Sequence, residues 1–134
     1  MLLVHHNALG LWLPPSGRIE ENGVPDDAVK RELREELGLD VELVQWSGLS
    51  LEGKIVRQLA QPFSVNVYTV GDHGHCCFSY LCRSEQTTGM KLKLDEINDF
   101  KWFNEKELRE KPAQMPADVV SLALKAIELA RKRE

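Results

Sequence analysis

The sequence predicts an α/β or α+β sandwich, in which strands and helices share one core. Three observations predict it. A helical stretch is fenced by Pro25 and Gly38, β-branched and aromatic runs lie on either side of it, and a second helical pattern closes the chain.

In order along the chain, Leu2 to His6 reads as a strand and Gly10 to Leu13 as a second, shorter one. The prolines and glycines of "PPSGRIEENG" (14–23) make a loop. Pro25 opens a helix as an N1 proline, and Asp26 and Asp27 favour its positive end. Gly38 closes it. "VELVQWSGLSLE" (41–52) reads as a strand, and 63–83 as a hairpin turning at "GDHG" (71–74). "FKWFN" (100–104) is a last strand. Pro116 to Lys132 is a helix with Val120, Leu124 and Ile127 on one face.

At 134 residues, 43% hydrophobic and 28% charged, the chain fits one soluble globular domain spanning 1–134. A net charge of −4 with no basic patch argues against nucleic-acid binding through a positive surface. No apolar run approaches a membrane span, and "MLLVHHNALG" lacks the features of a signal peptide. Three cysteines, Cys76, Cys77 and Cys82, are odd in number and point to reduced thiols in a cytoplasmic setting.

The first helix carries the chemistry. In "RELREELGL" (31–39), Glu32, Glu35 and Glu36 crowd one arc of the helix, beside the core-facing arc of Val29, Leu33 and Leu37. Glu32 and Glu36 form the repulsive i,i+4 pair. Two carboxylates about 4 Å apart repel by ~4 kcal/mol at an effective dielectric near 20. Arg31 offsets part of this. Two readings follow: a solvated acidic face, or a site for a hard divalent cation such as magnesium or manganese. Neither identifies a substrate.

The same residues resemble the second half of the Nudix box, G-x5-E-x7-R-E-U-x-E-E-x-G-U, where U is a bulky aliphatic. Arg31, Glu32, Leu33, Glu35, Glu36, Gly38 and Leu39 match its fixed positions, and Gly17 lies where the opening glycine belongs. "GLWLPPSGRIE" resembles the approach to the box, and "DEINDFKWFNEKEL" (95–108) resembles the acidic turn, strand and short helix near the end of such domains. The resemblance implies an α/β/α sandwich with a mixed sheet. It also implies magnesium- or manganese-dependent hydrolysis of a nucleoside diphosphate linked to another group, by attack of an activated water on phosphorus.

Carried over residue by residue, Glu32 and Glu36 become the metal ligands, with Glu35 a further ligand or the group that positions water. Arg31 orients a carboxylate. Glu96 is an extra ligand, the base, or an exposed loop acid. Two departures stand out. Gly23 occupies the place of the box's first glutamate, and Ser16 that of the first of two glycines. Gly23 keeps a second function open, a catalytically weak module that binds a nucleotide or a protein. It also leads to the expectation that Gly23→Glu raises hydrolysis, unless Glu20 or Glu21 substitutes. Members usually have a strand before the one resembling "LLVHH", so an open edge there points to a homodimer or a rearranged edge.

Other residues carry competing readings. His73 and His75 share a strand face and could line the pocket or contact phosphate. Cys76 and Cys77 point to opposite faces, which disfavours a zinc site in "HGHCC". His5 and His6 read as structural. Trp12, Trp46 and Trp102 read as core, with base stacking as the alternative.

Overall fold

The computed structural model describes residues 1–45, 52–86 and 88–133. Its central feature is β1 (Leu2–His6), whose alternating side chains serve two cores. Leu2 and Val4 pack with Leu33, Leu37, Leu39 and Ile97 on one side. Leu3 packs on the other with Phe103, Leu108, Val119 and Ala123. One strand therefore separates two helical layers, as expected of an α/β/α sandwich.

β1 pairs antiparallel with β2 (Trp12–Leu13) and with β7 (Ile97–Trp102), in the order β2-β1-β7. The first strand is thus the middle of its sheet, which corrects the expectation of an open edge there and removes the basis for a homodimer through it. β3 (Glu42–Leu43) pairs with β6 (Cys82–Arg83), and β4 (Ser64–Val70) with β5 (His73–Ser79). Among the described residues every ladder is antiparallel, and three small sheets stand in place of one mixed sheet. The strand expected over 41–52 is limited to Glu42–Leu43 among its described residues, because only those two pair with β6. Residues 46–51 of that stretch, including Trp46, lie outside them.

Helix α1 (Pro25–Leu37) keeps the bounds its punctuation dictates. Pro25 sits at its start, and Gly38 takes the left-handed conformation at φ 61°. Gly38 N–H donates to Arg34 O and Leu39 N–H to Leu33 O, closing the last turn. A Cβ at Gly38 would also lie 3.1 Å from the Lys91 nitrogen, so the chain that crosses here requires glycine twice over. α2 (Glu105–Arg109) is capped by Asn104 and Glu107 in a reciprocal box. α3 (Ala117–Lys132) buries Val119, Ala123 and Ala126, with Leu124 and Ile127 packed at the margin of the core. No helix among the described residues is long and apolar enough to cross a membrane.

Candidate active site

Helix α1 ends with carbonyls that no intrahelical donor can reach. The chain at 91–93 supplies donors: Lys91 N–H bonds Leu37 O and Lys93 N–H bonds Glu36 O, each at 2.9 Å. This crossing delivers the acidic turn 93–97 to the acidic face of α1. The turn is held by bonds from the Glu96 and Ile97 amides to Lys93 O. Asn7, just beyond β1, anchors it from the other side. Its amide donates to Glu96 O at 2.9 Å and its side chain to Leu94 O at 3.2 Å.

Between these segments lies a cleft of about 260 Å³. Val4, Leu13 and Ile97 form its apolar floor, and Glu36, Asp95 and Glu96 an acidic wall. His6, Asn7 and Ser16 also line it. The volume is near the lower end for small-molecule sites. It suits the polar diphosphate part of a ligand better than a whole nucleotide.

Electrostatics single out Glu36. Burial pushes its carboxyl up to about 7, and the charges of Glu32 and Glu96 add to the shift, with a smaller push from Glu35. Lys93 opposes them and does not cancel them. Glu32, Glu36 and Glu96 thus share one electrostatic neighbourhood. Glu35 is exposed and contributes least.

Arg31 turns out to organise the loop before the helix. Its guanidinium donates to Arg18 O at 2.7 Å and to Glu32 Oε1 at 3.2 Å, and pairs with Glu20 Oε1 at 3.3 Å. The bond to Glu32 leads the effects that raise the Arg31 pKa. Glu20 therefore makes the loop-to-arginine contact that Gly23 cannot. Gly23 instead closes a tight turn, its amide bonded to Glu20 O at 2.8 Å. Gly17 is fixed by packing: a Cβ there would fall 2.0 Å from Glu32 Cγ, an impossible overlap. The loop backbone presses directly on the side chain of Glu32.

The donor set consists of carboxylates alone, half-buried at Glu36 and short of compensating positive charge, which fits a hard divalent cation. As the side chains stand, no three His, Cys, Asp or Glu groups among the described residues are placed to hold a metal together. Glu32 is turned to Arg31 and Glu96 to Lys93, the latter pair at 3.1 Å.

The remaining candidates lie elsewhere. His73 pairs with Asp72 and His75 stacks on Tyr68 at 5.5 Å, both on the β4–β5 hairpin and neither lining the cleft. Cys76 and Cys77 pair with Val67 and Asn66, on opposite faces as expected. His5 is braced by Gln114 and Asn98. Trp12 packs edge-on against Phe103 at 5.3 Å in the core, whereas Trp102 is half exposed. Sequence reasoning missed Asp95 and Asn7, noted Ser16 only as a departure from the box, and gave His6 only a structural role.

A strand with two core faces, a glycine-closed acidic helix and a loop pinned to its arginine define the class of protein. The NUDIX domain pattern matches residues 1–123, and the chain belongs to the NUDIX family. It is similar to an RNA pyrophosphohydrolase of Pseudoalteromonas translucida (strain TAC 125), at 29% identity over 96 residues, covering 69% of this chain and 56% of that protein. A shorter match, 50% over 32 residues, links it to an 8-oxo-dGTP diphosphatase of Proteus vulgaris, covering 24% of this chain and 29% of that protein. The chain thus spans about half the length of the first curated relative and less of the second. Among solved structures, a NUDIX-family hydrolase from Clostridium perfringens superposes with a TM-score of 0.84 at 25% identity, covering 96% of this chain and 88% of that one. A MutT NUDIX hydrolase from Burkholderia pseudomallei shares the fold, with a TM-score of 0.58 at 20% identity over 94% of this chain and 86% of that one.

Proposed function

We propose that this chain hydrolyses a nucleoside diphosphate linked to another group, using magnesium or manganese. The observation that carries the reading is the meeting of Glu36 with Glu32 and Glu96 beside the cleft, with too little positive charge to balance them. The relatives' names, a pyrophosphohydrolase and a diphosphatase, support the same bond class. A reducing compartment such as the cytoplasm suits the free cysteines Cys76, Cys77 and Cys82.

Glu32, Glu35 and Glu36 would hold the cation, which when bound would supply positive charge to offset the negative charge developing on the diphosphate. The other roles belong to the chain's own groups. Arg31 orients Glu32 and holds the preceding loop by its bonds to Arg18 O and Glu20. Glu96, on the cleft wall, takes the proton of the attacking water, and its pair with Lys93 at 3.1 Å aims that carboxylate. Asn7 fixes the turn that carries Glu96. The apolar floor excludes bulk water from beneath the reacting phosphate.

The test is a panel of diphosphate compounds that includes a pyrophosphate-bearing RNA, 8-oxo-dGTP and nucleoside-diphosphate conjugates. Magnesium-dependent release of phosphate or nucleotide is expected from at least one. Glu36→Gln should lower that rate by about 100-fold or more, equivalent to ~2.7 kcal/mol of barrier. Calorimetric titration of manganese should show weaker binding by the variant. No release from any compound, or release insensitive to chelation and to Glu36→Gln, overturns the reading.

A further inference from the structure

Two histidines stand side by side at the end of β1, and the strand sends them to opposite faces. His5 goes with Leu3. Its ring packs edge-on to Trp12 at 5.1 Å and is held by Gln114 and Asn98. His6 goes with Leu2 and Val4, toward α1, and lines the cleft. The ladder with β7 shifts register between these two histidines. Bulges of this kind re-aim a side chain beside a site.

The turn after β1 uses every polar group of His6 except one. Its amide donates to Leu11 O and its carbonyl accepts from the Gly10 amide, each at 2.9 Å. Ring Nδ1 accepts from the Leu9 amide at 3.3 Å. An amide can only donate, so Nδ1 carries no proton and the ring's proton sits on Nε2. The turn thereby fixes both the tautomer and the direction of the ring. Nε2 itself has no partner among the described residues.

The cleft is short of donors. Among the described residues neither Lys nor Arg lines it, and the Asn7 side-chain amide is engaged by Leu94 O. Glu36, Asp95 and Glu96 can take a cation, but they repel the oxygens of a diphosphate. One cation covers only part of those oxygens, and the others need N–H or O–H groups. A neutral donor suits this place. An ammonium would be drawn to the carboxylates, as Lys93 is to Glu96.

We propose that His6 is a substrate-binding residue, whose Nε2–H donates to a non-bridging oxygen of the diphosphate. The inference rests on the proposed action on a diphosphate at this cleft. The bond is made in the bound substrate as well as in the transition state, so its loss raises KM and leaves kcat nearly unchanged.

Two substitutions separate the ring's two nitrogens. His6→Asn keeps an oxygen near the place of Nδ1, so the Leu9 amide retains its acceptor, and it removes the donor at Nε2. His6→Gln does the reverse, carrying an N–H as many bonds from the backbone as Nε2. The probe is imidodiphosphate with magnesium, titrated calorimetrically, alongside kinetics on any diphosphate compound the wild type cleaves. His6→Asn is expected to weaken imidodiphosphate binding and to raise KM, each by about tenfold, with kcat within about threefold of wild type. His6→Gln should stay within about threefold throughout. A purely structural ring predicts the opposite order, because only His6→Asn preserves the turn. Long-range proton–nitrogen NMR of the metal-free chain reads the tautomer directly, with the proton expected on Nε2. The opposite order of variants, equal effects of the two, a proton on Nδ1, or no binding of imidodiphosphate by the wild type overturns the proposal. Imidodiphosphate binding in the expected order without hydrolysis of any compound supports the role of His6 and overturns hydrolysis. Hydrolysis with both variants at the wild-type KM does the reverse.

Discussion

The acidic helix and the β4–β5 hairpin solve opposite problems. Around α1, charge is dense and the segments that frame it are held by specific bonds: Arg31 by three oxygens, the turn at 93–97 by the helix's own terminal carbonyls. The hairpin has almost no charge and is held mainly by its own ladder. The contrast teaches where each region's specificity resides. Electrostatic repulsion within α1 is costly unless a further charge offsets it. The hairpin's cost lies in exposed apolar area alone.

The sharpest way to break the first half of this contrast is Gly17→Ala. The added methyl meets Glu32 Cγ at 2.0 Å, and either the loop or the carboxylate must move. Displacing a catalytic group by an ångström costs about 100-fold in rate. That loss is expected in the hydrolysis assay, with manganese affinity falling in parallel. Retention of full activity would show that Glu32 is not placed by this packing.

A smaller effect concerns pH. Glu36 has a folded-state pKa of about 7 against an ordinary 4.5, so between those values the folded chain binds more protons than the unfolded one. Metal-free stability should therefore be highest at the acid end of that window and decline as pH rises through it. After discounting for the half-exposed position, the decline is about 1 kcal/mol. Thermal melts in chelator from pH 4.5 to 7.5 measure it, and Glu36→Gln should flatten the profile. A wild-type profile that rises across the window would contradict the burial of this carboxylate.

The mildest change is at Glu20. Its pair with Arg31 is solvent-exposed on the glutamate side, and such pairs contribute about 0–1 kcal/mol. Glu20→Gln should slow hydrolysis by about twofold to fivefold, more at low salt than at high. Gly23→Glu should restore the rate in that background and change it little in the wild type, where Arg31 is already engaged. A Cβ there lies 3.0 Å from Glu20 O, so the turn must give by a few tenths of an ångström. A large gain from Gly23→Glu alone would show that Glu20 does not fill the role.

What was legible in the sequence follows from how local its causes are. The bounds of α1 were readable because proline and a left-handed glycine act on the chain beside them. β7 was not: it was expected at 100–104 and runs Ile97–Trp102, because pairing with β1 recruits Ile97 and Asp99, with Asn98 bulged between them. The buried stripe of α3 runs through Ala123 and Ala126, small residues that hydrophobic weight overlooks. In the site, the glutamates of α1 announced themselves by mutual repulsion, and Glu96 by its place in an acidic turn. Asn7 gave no such signal. It reaches the acidic turn because β1 and β7 lie side by side, although about ninety residues separate the two strands in the chain.

The start of α1 holds one more contact. Asp27 grips Arg57 with both carboxylate oxygens, at 2.8 and 3.1 Å, and buried Asp26 accepts from the Ala60 amide at 2.7 Å. Two neighbouring side chains thus rivet the loop after β3 to the base of the helix that bears the acidic face. The rivet divides that loop into unequal parts for anyone who wishes to redesign it. Residues 53–56 precede the grip and are exposed, so they can be exchanged without tugging on the helix. Residues 57–60 cannot, because Asp26 is buried with its second oxygen unpartnered and would keep an unsatisfied carboxylate if Ala60 moved. New loop sequences are therefore best grafted upstream of Arg57, leaving the helix and its glutamates where they are.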